Sequence, residues 1–379
     1  MTSPSGPPQG AGGFPGQAPT QGFPPGGHQQ AAPVNGNLQN DVHTIERAIF
    51  EVKRIIVGQD LLVERMLVGL LAKGHVLLEG VPGVAKTLAV ETFAKVVGGT
   101  FARIQFTPDL VPTDIVGTRI YRVGKEEFDI EVGPVMVNFL LADEINRAPA
   151  KVQSALLEVM AERKVSLGGK TFPLPSPFLV MATQNPIEQE GVYSLPEAQR
   201  DRFLFKLNVD YPTPEEEREI IYRMGVTPPT PKQILNTGDL LRLQEIAAGI
   251  FVHHALVDYV VRIVTATREP AKFGMPDAKA WIAYGASPRA SLGIIAASRA
   301  LALIRGRDYV IPQDVVEVIP DVLRHRLVLT YDALADEVSA ETVINRIMQT
   351  VALPQVNAIP QQGHSVAPAV PAASAAGGR

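Results

Sequence analysis

A phosphate-loop pattern constrains this chain more than any other feature of its sequence. The run Gly80-Val81-Pro82-Gly83-Val84-Ala85-Lys86-Thr87 follows the apolar segment His75 to Glu79 and precedes a helix-forming segment from Leu88 to Val97. Strand, loop and helix in this order are typical of a nucleoside triphosphate site. The strict pattern has glycine directly before the lysine, where this chain has Ala85. A chance turn with a surface lysine is the alternative interpretation of these eight residues alone.

The loop predicts ATP and Mg²⁺ as ligands. Backbone N–H groups of such a loop surround the phosphates, and the helix dipole adds positive potential. Lys86 is expected to reach the β and γ phosphates, and the Thr87 hydroxyl to ligate Mg²⁺. The predicted binding residues here are Gly80, Val81, Pro82, Gly83, Val84, Ala85, Lys86, Thr87 and Leu88.

A pair of carboxylates follows another apolar run. Phe139 to Ala142 leads directly into Asp143 and Glu144. In phosphate-loop chemistry one acidic residue here holds Mg²⁺ through its water shell, and a second polarises the attacking water. Asp143 and Glu144 are the candidates for these two roles. An acidic pair that caps the helix beginning near Ala148 is the alternative.

A neutral amide follows a further apolar run. Leu179 to Thr183 continues into Gln184-Asn185-Pro186. An amide beside two acids can hold the attacking water and the γ-phosphate without adding charge, so Asn185 is a further catalytic candidate. Asn-Pro is also a common turn former, which is the alternative.

The apolar runs together predict an α/β fold. Near-continuous apolar strands that alternate with helical segments favour a five-stranded parallel sheet with helices on both faces. Ligands of such sheets bind at the carboxyl ends of the strands. The five predicted strands are His75 to Glu79, Phe101 to Phe106, Asn138 to Ala142, Phe178 to Thr183 and Phe203 to Asn208.

Composition divides the chain into two domains and two tails. Residues 1–40 contain no Lys, Arg, Asp or Glu, and residues 354–379 contain one charged residue. Such segments bury too little apolar surface to offset ordering entropy, so both tails are predicted to be disordered. Residues 41–212 are assigned to the α/β domain. Residues 213–353 have helical spacing, with Thr213, Pro288 and Pro312 as start signals, and are assigned to a helical lid domain.

Charge and composition also limit the possible partners. The formal net charge of −4 gives no general attraction to nucleic acid, although a local basic patch is compatible with it. The chain has no cysteine, which excludes disulfides and cysteine-ligated zinc. No segment has the length and composition of a signal peptide or a membrane span. The sequence therefore predicts a soluble, cytoplasmic protein.

Several strings together resemble a known family. The loop, the acidic pair, Asn185, Asp201-Arg202-Phe203 and Gly285-Ala286-Ser287-Pro288-Arg289 look like an AAA+ ATPase. More narrowly, Gly83 to Thr87, Ala142 to Ala148 and Gly285 to Arg289 are similar to the MoxR branch of the helix-2-insert group. MoxR-type loops commonly have alanine at the position of Ala85. The resemblance covers residues 41 to about 353.

The resemblance implies further site residues. It implies a homo-oligomeric ring, usually hexameric, with ATP between neighbouring subunits. By analogy Arg202 is the arginine finger that reaches the neighbour's γ-phosphate, with Arg200 as the competing choice, and Arg289 is the sensor 2 arginine, in cis or in trans. For either finger candidate, a surface ion pair with Asp201 or Glu197 is the alternative. Val57, Gly58 and Gln59 resemble the segment that packs against adenine, and a helix-entry turn is the alternative there.

Two segments resemble insertions of that group. Thr107 to Val135 is longer than a simple crossover helix and looks like the helix-2 insert. Lys164 to Phe178 contains Gly168-Gly169 and is predicted to form a hairpin. Both could instead be surface decorations.

The resemblance also implies a type of function. MoxR-type proteins typically remodel a client protein, or mature its cofactor, together with a partner that has a von Willebrand factor A domain. A nucleic-acid motor is the alternative, because helicase subunits share the insert. The predicted hairpin offers only Lys164, Lys170 and the aromatic Phe172 for such binding, so nucleic acid is not the expected partner.

Overall fold

The first half of the chain folds into alternating strands and helices. The computed structural model describes residues 38–81, 83–124, 126–185, 192–225 and 229–355. In chain order, the elements of this half are α1 (Leu38–Lys53), α2 (Asp60–Leu71), β1 (His75–Gly80), α3 (Lys86–Val97), β2 (Phe101–Gln105), α4 (Pro112–Val116), β3 (Gly117–Arg122), β4 (Glu127–Val132), β5 (Phe139–Asp143), α5 (Ala150–Glu162), β6 (Lys164–Leu167), β7 (Lys170–Pro173), β8 (Leu179–Gln184), α6 (Glu197–Arg200) and β9 (Phe203–Val209).

The five apolar runs form the central sheet that the sequence predicts. Its strand order is β2-β5-β8-β1-β9, and all neighbouring pairs are parallel. Each strand begins and ends within one or two residues of the predicted bounds. The predicted fold class is confirmed.

Burial on both faces explains the continuous apolar runs. Successive side chains of a strand point to opposite faces of the sheet. Val76 and Leu78 of β1 enter one hydrophobic core, and Leu77 between them enters the other. The first core also contains helices α1, α2 and α3, and the second contains α5. Residues 76–78 of β1, 139–142 of β5 and 179–182 of β8 are therefore all apolar, whereas the edge strand β2 exposes Arg103 and Gln105.

Parallel pairing gathers the strand ends that precede the candidate residues. Gln105 of β2 pairs with Asp143 of β5, and Glu79 of β1 pairs with Gln184 of β8. The phosphate loop, the acidic pair and Asn185 follow these strands directly, so they lie at one edge of the sheet.

Two hairpins extend from this domain. Strands β3 and β4 pair in antiparallel fashion after the short helix α4, within the predicted helix-2 insert. Strands β6 and β7 form the predicted second hairpin. Its turn residues Gly168 and Gly169 have φ of 55° and 80°, which is the backbone of a type I′ turn.

The second half of the described chain is mainly helical. Its elements are α7 (Pro214–Met224), α8 (Thr237–Gly249), α9 (His254–Arg268), α10 (Ala278–Trp281), β10 (Ile282–Tyr284), α11 (Pro288–Ile304), α12 (Pro312–Leu323), β11 (Val328–Leu329), α13 (Tyr331–Ala335) and α14 (Ala340–Thr350).

The predicted helix starts agree with the observed ones. The Thr213 hydroxyl accepts a hydrogen bond from Glu216 N and caps α7, while Pro288 and Pro312 occupy the first turns of α11 and α12. Strands β10 and β11, which the sequence did not predict, form a two-stranded ribbon beside these helices.

The helical half packs on the first half through α11 and α12. Helix α11 contacts α1, α2, α8, α9 and α12. Helix α12 packs against β9 at the edge of the sheet. Both predicted disordered tails fall almost wholly outside the described residues, and α1 begins at Leu38. Within the described parts, no helix is long and apolar enough to cross a membrane.

Candidate active site at the carboxyl edge of the sheet

The phosphate loop and the strand ends beside it enclose one cleft. The cleft has a volume of about 350 Å³. The residues that line it are Gly83, Ala85, Lys86, Thr87, Leu88, Asp143, Glu144, Thr183, Gln184 and Asn185. The structure therefore brings together most of the predicted loop with both acids and the amide. Pro82 lies outside the described residues.

Backbone conformation holds the loop open in front of α3. Gly83 and Ala85 have positive φ, of 87° and 58°, and Val84 between them is buried in the core. A left-handed conformation is costly for any residue except glycine, which explains why the strict pattern has glycine where this chain has Ala85. The loop thus presents its backbone toward the cleft while Val84 anchors it.

Lys86 is a partly buried cation at the first turn of α3. Its Nζ donates a hydrogen bond to the carbonyl of Gly80 at 2.6 Å. Burial lowers the pKa of Lys86, and the negative charges of Asp143, Glu144 and Glu79 raise it. The ammonium group therefore lies in a half-desolvated site where an anionic ligand would be stabilised strongly.

Asp143 is held by hydrogen bonds at both carboxylate oxygens. Its Oδ1 accepts from the Thr183 hydroxyl at 2.5 Å, and its Oδ2 accepts from Arg103 Nη2 at 2.7 Å and Nε at 3.1 Å. Thr183 lies near the carboxyl end of β8, and its Oγ1 also accepts a hydrogen bond from Glu144 N at 2.8 Å. One threonine hydroxyl therefore fixes the carboxylate of Asp143 relative to the backbone of Glu144.

Glu144 turns out of the strand and meets two donors. It has a left-handed backbone, with φ of 56°, directly after β5. Its Oε2 accepts from Gln105 Nε2 at 2.8 Å and from Arg147 Nε at 2.9 Å. The side chain of Glu144 lines the cleft, but Gln105 and Arg147 occupy one of its oxygens.

The end of β8 adds two amide side chains. Asn185 is buried at the cleft, and its carbonyl accepts from Asn146 Nδ2 at 3.4 Å. Gln184 Nε2 donates to Glu79 Oε1 at 2.5 Å, and Lys206 Nζ lies 2.5 Å from Glu79 Oε2. Glu79 is therefore paired with Lys206. The carboxylates that line the cleft are those of Asp143 and Glu144.

The predicted adenine segment lies outside the lining of this cleft. Val57, Gly58 and Gln59 connect α1 to α2. Gly58 has φ of 73°, and a Cβ on it would lie 2.4 Å from Glu216 Cδ in the first turn of α7. Gln59 Nε2 donates to Asp210 O at 3.2 Å, just beyond β9. The Glu216 side chain, in the first turn of α7, lies against the exposed Gly58.

The candidate arginines lie at the opposite end of the sheet. Arg202 directly precedes β9, where Phe203 pairs with His75, whereas Val209 at the other end pairs with Gly80 before the loop. A strand of this length separates the two ends by about 20 Å. Arg202 is exposed, and its Nη1 donates to Leu157 O of α5 at 2.5 Å. Arg202 therefore cannot reach the phosphate loop of its own subunit.

Arg289 is at the same end as Arg202. Its Nη1 lies 3.5 Å from Asp201 Oδ2, and its side chain is 60% exposed. Asp201 pairs more closely with Arg326, whose Nε lies 2.8 Å from Oδ1. The sequence left open an ion pair of Arg200 or Arg202 with Asp201. In the described structure neither arginine pairs with Asp201.

Sequence reasoning missed several residues that contact the candidates. Arg103 and Gln105 lie on exposed positions of β2, and Arg326 lies after α12. The run Arg324-His325-Arg326 between apolar residues was a possible signal, because three polar side chains there need partners. Arg103 and Gln105 gave a weaker signal of contact with the site, because alternating polar residues usually indicate a solvated edge strand.

Comparison with known proteins agrees with this geometry. The model of the ATPase family associated with various cellular activities (AAA) matches residues 75–205, and the AAA lid domain matches residues 277–347. The chain is 78% identical to Chaperone MoxR1 of Mycobacterium tuberculosis, over all of both chains. The chain belongs to the MoxR family of AAA ATPases. Family membership implies that it binds a nucleotide.

More distant MoxR relatives cover most of the chain. Protein YeaC of Bacillus subtilis is 43% identical over 83% of this chain and 97% of its own length. Protein MoxR of Paracoccus denitrificans is 35% identical over 73% of this chain and 86% of its own length. A crystal structure from Cytophaga hutchinsonii, described as a candidate ATPase, has a TM-score of 0.80 and 44% identity, and the match covers 84% of this chain and 97% of that one.

Proposed function

We propose that the chain binds ATP and Mg²⁺ in the cleft and hydrolyses the ATP. The observation that supports this most is the convergence of Lys86, Glu144 and Asn185 on one cleft from three separate elements. Lys86 would bind the β and γ phosphates, and Glu144 would polarise the attacking water. Asn185 would hold that water and the γ-phosphate.

The metal-binding residues suit Mg²⁺. Thr87 and Asp143 both line the cleft. Two protein ligands are enough, because Mg²⁺ usually keeps several waters and binds substrate phosphates. When bound, the ion would neutralise charge on the phosphates during transfer. In keeping with this, the described residues contain no group of three or more carboxylates and histidines that could hold a metal by themselves.

The position of the arginines supports a homo-oligomer. Arg202 and Arg289 lie about a strand length from the loop of their own subunit, which supports action on the nucleotide of another subunit. A ring, hexameric by family resemblance, would bring this end of one subunit to the cleft of the next. Arg200 is half-buried and its Nε is enclosed by protein, whereas Arg202 is exposed, which favours Arg202 as the finger.

We further propose that ATP turnover drives remodelling of client proteins in the cytoplasm, with a partner that has a von Willebrand factor A domain. A relative that matches the whole chain is named a chaperone. The β3–β4 hairpin exposes apolar side chains that suit a protein client, namely Ile120, Tyr121, Val123 and Phe128.

Four described cations lie on the hairpin strands, of which Lys170 is exposed and the other three already have protein partners, which weighs against a nucleic-acid motor. Arg119 lies over the Phe128 ring at 3.9 Å, and Arg122 pairs with Asp129 at 2.7 Å. Lys164 of the second hairpin lies 3.3 Å from Glu162. These side chains already have partners in the protein and offer little free charge to phosphates.

Two variants test the proposed hydrolysis. Lys86→Ala should abolish ATP binding or turnover, whereas Glu144→Gln should bind ATP and fail to hydrolyse it. Lys95→Ala is the control for Lys86, because Lys95 lies on the exposed side of the same helix and pairs with Glu91. Nucleotide affinity and phosphate release are measured for all three. Near-normal turnover by Glu144→Gln would remove Glu144 as the base.

A further inference from the structure

Three consecutive side chains after α12 bind the edge strand β9. Arg324 Nη1 donates to Lys206 O at 2.5 Å, and His325 Nε2 lies 3.0 Å from Phe203 O. Arg326 donates to Phe203 O at 2.6 Å and to Leu204 O at 3.1 Å. Among the described strands β9 lies at the edge of the sheet, and these side chains bind carbonyls of this edge strand.

Arg326 uses all of its N–H groups in this contact. Its side chain is only 3% exposed. Besides the two carbonyls of β9, it donates to Val322 O, to Asp201 O at 3.3 Å and from Nε to Asp201 Oδ1 at 2.8 Å. A guanidinium group has five N–H donors in a fixed plane, and five acceptors surround this one. Such complete pairing fixes the group in one position.

Asp201 extends the contact to the start of α11. Its second oxygen, Oδ2, accepts from the Ser287 hydroxyl at 2.9 Å and faces Arg289 Nη1 at 3.5 Å. One carboxylate therefore joins Arg326 to the cap and first turn of α11. The same carboxylate belongs to the residue directly before Arg202.

This arrangement fixes the backbone on both sides of an exposed arginine. Arg326 binds the carbonyls of Asp201 and Phe203, which flank Arg202, while the Arg202 side chain has one hydrogen bond, to Leu157 O. A long side chain that acts on another molecule loses efficiency when its backbone shifts by about 1 Å.

We propose that Arg326 is a positioning residue, which acts through Asp201 to aim Arg202 and Arg289 at the nucleotide of a neighbouring subunit. The inference rests on the proposed function, because it requires an arginine that acts in trans. Arg326 itself does not touch the nucleotide.

The first test compares two conservative variants. Arg326→Lys keeps the charge but has three donors without the planar geometry. We expect it to lower kcat for ATP by about 10- to 100-fold, with KM changed by less than about 3-fold. Arg324→Lys is the control, because Arg324 also binds β9 but does not contact Asp201. It should keep turnover within about 2-fold of the unmodified protein. Equal loss of kcat in both variants would reduce Arg326 to a structural role and overturn the proposal.

The second test locates the defect within the ring. Arg326→Lys subunits keep an intact cleft, and Lys86→Ala subunits keep an intact Arg202. Rings mixed from the two should therefore turn over ATP faster than the sum of the separate variants. Asp201→Asn is tested in the same way, so a folding failure of one variant does not end the experiment.

Rings mixed from Arg202→Ala and Lys86→Ala subunits distinguish the positioning role of Arg326 from the proposed action of Arg202 in trans. If Arg202→Ala gains activity in mixed rings and neither Arg326→Lys nor Asp201→Asn does, the positioning role is wrong and the finger stands. If Arg202→Ala also fails to gain activity while subunits exchange, the trans arginine is wrong and the positioning role falls with it.

Discussion

Arg103 Nη2 lies 2.7 Å from Asp143 Oδ2, so a cation of the protein occupies the carboxylate that is proposed to hold Mg²⁺. The metal must compete with this guanidinium group for Asp143. The Arg103 side chain is 48% exposed, and a pair of this kind is worth about 1 kcal/mol or less.

Removing this competitor should favour the metal. Arg103→Ala is expected to lower the Mg²⁺ concentration for half-maximal ATP turnover by about 2- to 5-fold. The control is Arg122→Ala, which breaks an Arg–Asp pair of the same 2.7 Å length on the β3–β4 hairpin. Magnesium titrations of ATPase rate measure both. An unchanged or raised Mg²⁺ requirement in Arg103→Ala would contradict the proposed metal role of Asp143.

Ala85 should carry measurable backbone strain. It has φ of 58°, where an L-residue with a Cβ is disfavoured by roughly 1–2 kcal/mol. Ala85→Gly should raise the free energy of unfolding by about 1 kcal/mol and leave ATP affinity unchanged. Ala296→Gly, in the middle of α11, is the matched control and should lower the same quantity by about 1 kcal/mol. Thermal unfolding compares them, and equal destabilisation by both would show that Ala85 is unstrained.

A buried histidine should make the stability dependent on pH. His75 Nδ1 accepts a hydrogen bond from Val180 N at 3.0 Å, so this nitrogen carries no proton. Burial, with a smaller effect from Arg163, lowers the pKa of His75 to about 4 from 6.5. The unfolded chain therefore binds the proton more tightly than the folded protein. The free energy of unfolding should fall as the pH drops from about 6.5 toward about 4.

His75→Gln isolates this contribution, because glutamine can accept from Val180 N and does not titrate. Between pH 7 and pH 5, the unmodified protein should lose about 2 kcal/mol more of its unfolding free energy than this variant does. His43→Gln, which removes an exposed histidine of α1, is the control variant. Denaturant titrations at the two pH values measure the difference. Parallel curves for the unmodified protein and His75→Gln would mean that His75 is protonated without cost.

The sheet could be predicted from the sequence because burial on two faces leaves a direct signal. Leu77 and Leu78 enter different cores, so the middle of β1, residues 76–78, had to be apolar on both faces. The starts of α7, α11 and α12 were predictable for a similar local reason, since capping residues act within one turn. Strands β10 and β11, with three and two residues, are too short to show any periodicity.

The loop, the acids and Asn185 could be placed together because parallel strands share a carboxyl edge. Contacts between side chains that are distant in the sequence could not be predicted. Arg326 and Asp201 are separated by 125 residues, and nothing in either local sequence says that the two meet. The same holds for Gln105 and Glu144, because a sequence pattern fixes which face a residue occupies but not which side chain lies opposite.

The proposed hydrolysis depends most on whether Arg202 acts on a neighbouring subunit. Arg202→Ala should bind ATP and hydrolyse it poorly, because an arginine delivered to the γ-phosphate can be worth roughly 10³ to 10⁵ in rate. Arg200→Ala in parallel tests the competing arginine and should retain most of the activity.

The decisive measurement is ATP turnover by rings mixed from Arg202→Ala and Lys86→Ala subunits. Each Arg202→Ala subunit keeps its loop, and a Lys86→Ala neighbour supplies the missing arginine, so we expect turnover above the sum of the two separate variants. If subunit exchange is demonstrated and the mixture is no more active than that sum, Arg202 does not act in trans and the proposed ring mechanism is contradicted.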